Sequence, residues 1–193
     1  MRSGRSARLL PCLLRALLPA LLVLVVVSAL VVQALAGFQP LTNVLGMCAR
    51  PVEVPVDTYW YAGVVLVMAA GVLVASRLNR AGSGVLAGTL LAVGVVSAAL
   101  CTFAAFLGTA VWQWGHEDSI EPPSAAEAWG QFGVNVAAAG TPAYALMLSA
   151  VLMLVRRKGV LLSWTVPPAA FLAFVLASTA FQVARAWAVC SAA

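Results

Sequence analysis

The chain has 193 residues, of which 63% are hydrophobic and 9% charged, and its mean hydropathy is +1.02. Soluble domains hold roughly 45–50% apolar residues, and a chain of this size has too little interior to hide the excess. The composition therefore excludes a water-soluble domain and predicts a protein solvated by the lipid bilayer. The net charge of +5 does not favour nucleic acid as a partner, because the basic residues cluster beside apolar runs, as orientation signals do in membranes.

Five apolar segments are each long enough to cross a bilayer, which takes about 20 helical residues. None of them contains Asp, Glu, Lys or Arg. They cover, approximately, residues 17–37, 59–76, 85–111, 134–155 and 160–184. The sequence therefore predicts an all-α integral membrane protein, a single domain built as a bundle of five transmembrane helices.

Lys and Arg fall mostly on one side of these segments. Nine of the 11 precede the first segment or lie in the turns after the second and fourth: Arg2, Arg5, Arg8, Arg15, Arg77, Arg80, Arg156, Arg157 and Lys158. All six acidic residues lie in the two loops on the other side, residues 38–58 and 112–133. Because basic loops stay in the cytoplasm, we expect a cell-membrane protein with a cytoplasmic N-terminus and an external C-terminus.

The first segment has a second interpretation. Its basic start, its apolar stretch and the triplet Ala34-Leu35-Ala36 are also typical of a cleaved secretory signal, whose removal would leave four spans. The apolar run is longer than the 7–15 residues usual in a signal, so we favour a retained helix.

The second loop contains a signal for the start of a helix. Pro122 and Pro123 precede Ser124, and Glu127 follows three residues later, which is the spacing of a capping box. Trp129 and Phe132 then fall on one helical face. The sequence predicts a short helix lying along the outer membrane surface.

The same loop carries side chains that suit a divalent cation, His116, Glu117, Asp118 and Glu121. Carboxylates and imidazole are ligands for such ions. Residues so close in sequence seldom converge on one ion without help from elsewhere, so we expect a solvated acidic loop, with no metal and no cofactor.

Two cysteines fall on the external side, Cys48 in the first loop and Cys190 near the C-terminus. Disulfides persist in oxidising compartments, and the first and fifth helices are neighbours in a closed bundle. We therefore predict a Cys48–Cys190 disulfide. The alternatives are two unpaired thiols or a bond to a partner protein.

Small residues mark close contacts between helices in lipid. Gly84, Gly88 and Ala92 recur at every fourth position, which predicts the third helix as the centre of the bundle.

Pro167 and Pro168 remove two backbone donors from the fifth segment and predict a kink there.

The chain lacks the sequence patterns of catalysis. It contains no Cys-x-x-Cys, P-loop or Gly-x-Ser-x-Gly motif, and its predicted spans lack the charged residues that coupled transporters use. We therefore expect a non-catalytic accessory, assembly or stabilising subunit that contacts other membrane subunits. Two alternatives stay open: a small oligomeric carrier or channel for a neutral or lipidic molecule, and a metal-handling protein or membrane enzyme that uses the His116 loop.

Overall fold

The computed structural model describes residues 17–31, 56–79, 84–116, 122–160 and 163–192. The described residues form five helices: α1 (Leu17–Val31), α2 (Val56–Leu78), α3 (Val85–Trp114), α4 (Ala125–Arg157) and α5 (Val166–Ala192). Helices α2 to α5 are long and apolar enough to cross a membrane, and α1 is a shorter apolar helix. The chain is an α-helical membrane protein.

Helix α4 lies at the centre of the bundle. It packs against α2, α3 and α5. Of the residues in its apolar span, Ala139–Arg157, 61% are buried, compared with 22% of the residues in α3. The prediction that the third helix is central is wrong. Small buried residues let neighbouring helices approach closely, and α4 carries the larger set of them: Ala139, Gly140, Thr141, Ala143, Ala145, Ser149 and Ala150.

The apolar core joins all five helices of the described chain. Its fully buried side chains include Met68 of α2, Leu146 of α4 and Phe171 of α5. Helix α1 packs against α2, since a Cβ added at Gly71 would lie 3.0 Å from Cγ2 of Val26. Residues 17–31 of the first apolar segment therefore pack against the rest of the bundle.

The predicted capping box opens α4. The amide of Glu127 donates to Ser124 Oγ at 3.3 Å, and the amide of Ser124 donates to Glu127 Oε2 at 2.7 Å. The helix that starts there is not the separate surface helix that the sequence predicts, because α4 continues unbroken to Arg157. Its 33 residues span about 50 Å, more than a hydrocarbon core of about 30 Å, so one end of the helix reaches beyond the apolar layer.

The turn between α4 and α5 is longer than the sequence suggests. Gly159, with φ +81, ends α4 and donates from its amide to the Arg156 carbonyl at 2.9 Å. Helix α5 begins only at Val166, so Pro167 and Pro168 lie in its first turn. Backbone N–H groups have no helical partner there, and proline is accommodated without loss. The two prolines start the helix, and the predicted kink is wrong.

Candidate functional sites

Several polar side chains inside the bundle form hydrogen bonds between helices. On α3, the Thr102 hydroxyl donates to the Ala98 carbonyl at 2.7 Å and therefore accepts from the hydroxyl of Tyr144 on α4. Thr109 repeats the pattern, donating to a carbonyl of its own helix and accepting from Asn135 Nδ2 at 3.1 Å. Each hydroxyl thus donates its proton to a carbonyl of its own helix and accepts a hydrogen bond from a side chain of α4, which joins α3 to α4.

A second set of these bonds joins α5 to its neighbours. Thr141 of α4 donates to a carbonyl of its own helix and accepts from Ser178 Oγ at 2.7 Å. Ser178 accepts in turn from Gln182 Nε2 at 3.3 Å. On α2, the Tyr61 phenol is hydrogen-bonded to Thr179. These interior polar groups therefore act as links between helices, as polar residues do in lipid, whereas the buried Ser149 donates to the Ala145 carbonyl of its own helix at 2.7 Å.

The sequence alone did not identify Asn135, Thr141 and Tyr144 as residues that link helices. A usable signal was present, because Gln131 and Asn135 are one turn apart and bond each other at 3.2 Å. The partners across the helix interfaces had no such signal, since residues 102 and 144 meet only after α3 and α4 pack.

A cleft of about 240 Å³ opens between α3 and α4, where α3 ends and α4 begins. Its walls include Phe106 and Gln113 of α3, and Trp129 and Phe132 of α4. The rings of Trp129 and Phe132 meet edge to face with centroids 5.8 Å apart, which confirms that they share a helical face. Trp129 is 72% exposed and Phe106 60% exposed. An aromatic cleft with one amide on its wall has the chemistry to hold the apolar part of an amphiphile.

No known protein family, curated protein or solved structure matches this chain. The aromatic cleft and the hydrogen-bonded polar interior are the two features of the described residues that suggest a function.

His116 lies in the turn that ends α3. Its Nδ1 is 2.8 Å from the Trp112 carbonyl oxygen, and the two rings are tilted at 37° with centroids 4.9 Å apart. These contacts hold the imidazole against its own helix. The other three residues of the predicted metal cluster, Glu117, Asp118 and Glu121, lie outside the described residues, so a metal site here stays a prediction.

The predicted packing stripe on α3 contacts a neighbouring helix at Gly84 but not at its other two residues. Gly84 lies against Arg157, but a Cβ at Gly88 would meet nothing within 4 Å, and Ala92 is exposed. The close approach of α3 to α4 occurs at Gly94, where a Cβ would lie 2.8 Å from Met147 Cγ.

The predicted Cys48–Cys190 disulfide falls outside what the structure describes. Cys48 belongs to the stretch 32–55, and Cys190 is in α5 with a side chain outside the description. The pairing stays a prediction.

Proposed function

We propose that the chain crosses the cell membrane five times, with its N-terminus in the cytoplasm and its C-terminus outside. The contact of α1 with α2 through Val26 supports retention of the first segment as a helix. The hydrogen bond from Arg156 to the Ser76 carbonyl puts the two basic turns at one end of the bundle. This shared end supports the orientation that the Lys and Arg distribution favours.

An epitope tag inserted after Lys158 tests the orientation in intact cells. Because this turn is cytoplasmic in the proposed topology, the tag should resist external protease until the membrane is permeabilised. A matched tag after Ala193 should be cleaved without permeabilisation. A Lys158 tag that is accessible in intact cells would overturn the proposed orientation.

We further propose that the protein is a non-catalytic accessory, assembly or stabilising subunit of a larger membrane complex. The observation that carries this function is the hydrogen-bonded interior. In it, Thr102, Thr109 and Thr141 each take part in a side-chain hydrogen bond between α4 and a neighbouring helix. The predicted spans also lack Asp, Glu, Lys and Arg. An interior of this kind has the chemistry of a scaffold, and the exposed apolar side chains of α3, such as Phe103 and Leu100, offer a surface to other membrane helices.

Gentle detergent extraction followed by native mass spectrometry tests this role. Stable co-purification with unrelated membrane subunits is the expected result. A monomer that carries neither protein nor lipid through mild extraction would count against it, and a pure homo-oligomer would favour the carrier described next.

A second candidate function is a small oligomeric carrier or channel for a lipidic molecule. The aromatic cleft between α3 and α4 is the observation that favours it. Brominated acyl chains quench nearby indole fluorescence, so binding in the cleft should quench wild-type protein more strongly than Trp129→Phe. The control is Trp164→Phe, because Trp164 lies before α5, at the other end of the bundle. Equal loss of quenching in both variants would contradict binding at the cleft.

A further inference from the structure

The aromatic cleft between α3 and α4 has a corner of two rings at the end farther from the basic turns. The rings of Trp129 and Phe132 are nearly perpendicular, with an interplanar angle of 82° and centroids 5.8 Å apart. Trp129 is 72% exposed, so most of its ring surface is open to a ligand. Two ring planes at a right angle form two walls of an aromatic cage, the arrangement that recognises quaternary ammonium groups.

The cleft lies at the depth of lipid headgroups. Gly84 lies against Arg157, so α3 and α4 have neighbouring ends at the basic turns, and charged turns lie in a headgroup layer. Phe106 is 21 positions after Val85, about 32 Å along α3, and Trp129 is 28 positions before Arg157, about 42 Å along α4. A bilayer is about 40–45 Å thick with both headgroup layers and has a hydrocarbon core of about 30 Å. The cleft therefore runs from the edge of the core into the opposite headgroup layer.

The part of the chain that forms the cleft carries negative charge. From residue 81 to residue 155 the sequence contains no Lys or Arg and four carboxylates, Glu117, Asp118, Glu121 and Glu127. In the sequence, all four fall between Trp114, where α3 ends, and the end of the first turn of α4. These are the two helix ends that flank the cleft. An ammonium group is attracted by this charge, whereas an anionic headgroup is repelled.

Two polar side chains contribute to the walls of the cleft. Thr109 is already engaged, since its hydroxyl donates to the Ala105 carbonyl at 2.8 Å and accepts from Asn135 Nδ2 at 3.1 Å. Gln113 is half-buried in the wall and brings an amide, whose N–H groups can donate to a phosphate oxygen. The cleft thus combines an aromatic corner, an amide donor and an apolar lower end at Phe106.

We propose that the cleft binds a phospholipid whose headgroup ends in an ammonium group, such as phosphatidylcholine, in preference to an anionic phospholipid. The ammonium group lies between the rings of Trp129 and Phe132, Gln113 donates to the phosphate, and Phe106 contacts an acyl chain. This inference rests on the second candidate function and names the class of lipid that the cleft selects.

The test measures lipid binding to the full chain in a neutral detergent by native mass spectrometry. Three lipids with the same acyl chains are compared: phosphatidylcholine, phosphatidylglycerol, and a phosphatidylcholine analogue in which carbon replaces the headgroup nitrogen. The analogue has the shape of the choline headgroup without its positive charge. Wild type should bind phosphatidylcholine about fivefold more tightly than either of the other two lipids.

Trp129→Leu keeps an apolar side chain at an exposed position and removes the ring. It should lower the affinity for phosphatidylcholine about fivefold more than the affinity for the analogue. Trp129→Phe keeps a ring in the corner and should retain most of the preference, which separates loss of the cage from a change in fold. The matched control is Trp114→Leu, because Trp114 is 68% exposed near the same end of the bundle but does not line the cleft. This variant should bind all three lipids as wild type does.

The possible outcomes distinguish this inference from the lipid-carrier function on which it rests. Equal affinities for phosphatidylcholine and the analogue, both weakened by Trp129→Leu, would overturn the ammonium site and leave the cleft as an apolar lipid site. If Trp129→Leu weakens the binding of none of the lipids, the cleft is not a lipid site and both proposals fail. Equal losses in Trp129→Leu and Trp114→Leu would assign the preference to the membrane interface in general and overturn the inference. A dimer that Trp129→Leu dissociates would overturn it as well, by assigning the cleft to a second copy of the chain.

Discussion

Arg156 donates a hydrogen bond from its guanidinium to the backbone carbonyl oxygen of Ser76 and so connects the end of α4 to the end of α2. Carbonyl groups in the last turn of a helix have no partner within that helix, and an arginine side chain is well suited to supply one. Ser76 extends the connection by donating from its hydroxyl to the Trp164 carbonyl at 2.7 Å. One buried serine therefore links three helix ends.

Ser76→Ala should lower the free energy of unfolding by about 1 kcal/mol, because it removes a hydrogen bond of a fully buried side chain. Unfolding can be followed in detergent micelles by circular dichroism. Ser163→Ala is the matched control, since Ser163 is exposed and its partner among the described residues is Thr165, two positions later. If both variants unfold alike, the link through Ser76 does not hold the helix ends together.

The Thr102–Tyr144 hydrogen bond predicts a measurable coupling between α3 and α4. Tyr144→Phe should cost about 0.6 kcal/mol, the average for a bond between helices in a membrane. A double-mutant cycle with Thr102→Val isolates the pair. Tyr144→Phe combined with Thr89→Val should instead be additive, because Thr89 is exposed and bonds Val85 of its own helix at 2.9 Å. A zero coupling for the Thr102 pair would contradict the contact.

Local features of this fold could be read from the sequence, while features that depend on neighbouring helices could not. The capping box is confirmed because two residues three positions apart, Ser124 and Glu127, contain all its atoms. The same local reasoning could not tell that α4 continues past Trp129. The central position of α4 and the polar links of Thr141 depend on which helix faces arrive together. Pro167 was predicted inside a helix and lies in its first turn, because composition alone does not distinguish the start of a helix from its interior.

The cap of α4 should respond to pH through Glu127. Hydrogen bonds from the Ser124 backbone and side chain lower the pKa of Glu127 from its ordinary value of 4.5. Because the folded pKa is the lower one, the stabilisation by the cap is complete above the unfolded pKa and is lost as the pH falls through the folded pKa. The protection factors of the amides in the first turn of α4, which correct for the slower intrinsic exchange in acid, should therefore fall below about pH 4.5.

Glu127→Gln tests this assignment, because an amide keeps an acceptor oxygen but does not titrate in this range. The variant should show no acid-induced step in the protection factors of the amides of residues 125–128, whereas wild type should. A step of equal size in both proteins would mean that another group controls the start of α4.

The predicted Cys48–Cys190 disulfide should change the mobility of the protein on a gel. Wild type should migrate faster without reductant than with it, because a crosslink keeps the denatured chain compact. Cys190→Ser should abolish the difference, and Cys101→Ser should preserve it, since Cys101 lies within α3. Identical non-reduced mobility of wild type and Cys190→Ser would count against the pairing.

Two glycines of α3 offer a direct test of how it packs. In Gly94→Ala the new Cβ would lie 2.8 Å from Met147 Cγ and 3.2 Å from the Met147 backbone nitrogen, so α3 and α4 must separate. We expect a loss of about 1–3 kcal/mol in the free energy of unfolding, the usual cost of overpacking. The measurement is the same unfolding titration in micelles.

Gly88→Ala is the matched control, because a Cβ there would meet nothing within 4 Å. Alanine favours a helix over glycine by about 1 kcal/mol in water, so this variant should be neutral or slightly more stable. The reverse result, with Gly88→Ala destabilising and Gly94→Ala neutral, would mean that α3 contacts its neighbours through the stripe of small residues at 84, 88 and 92. The helix would then be rotated about its axis relative to the structure, and the Thr102–Tyr144 bond would be lost with it.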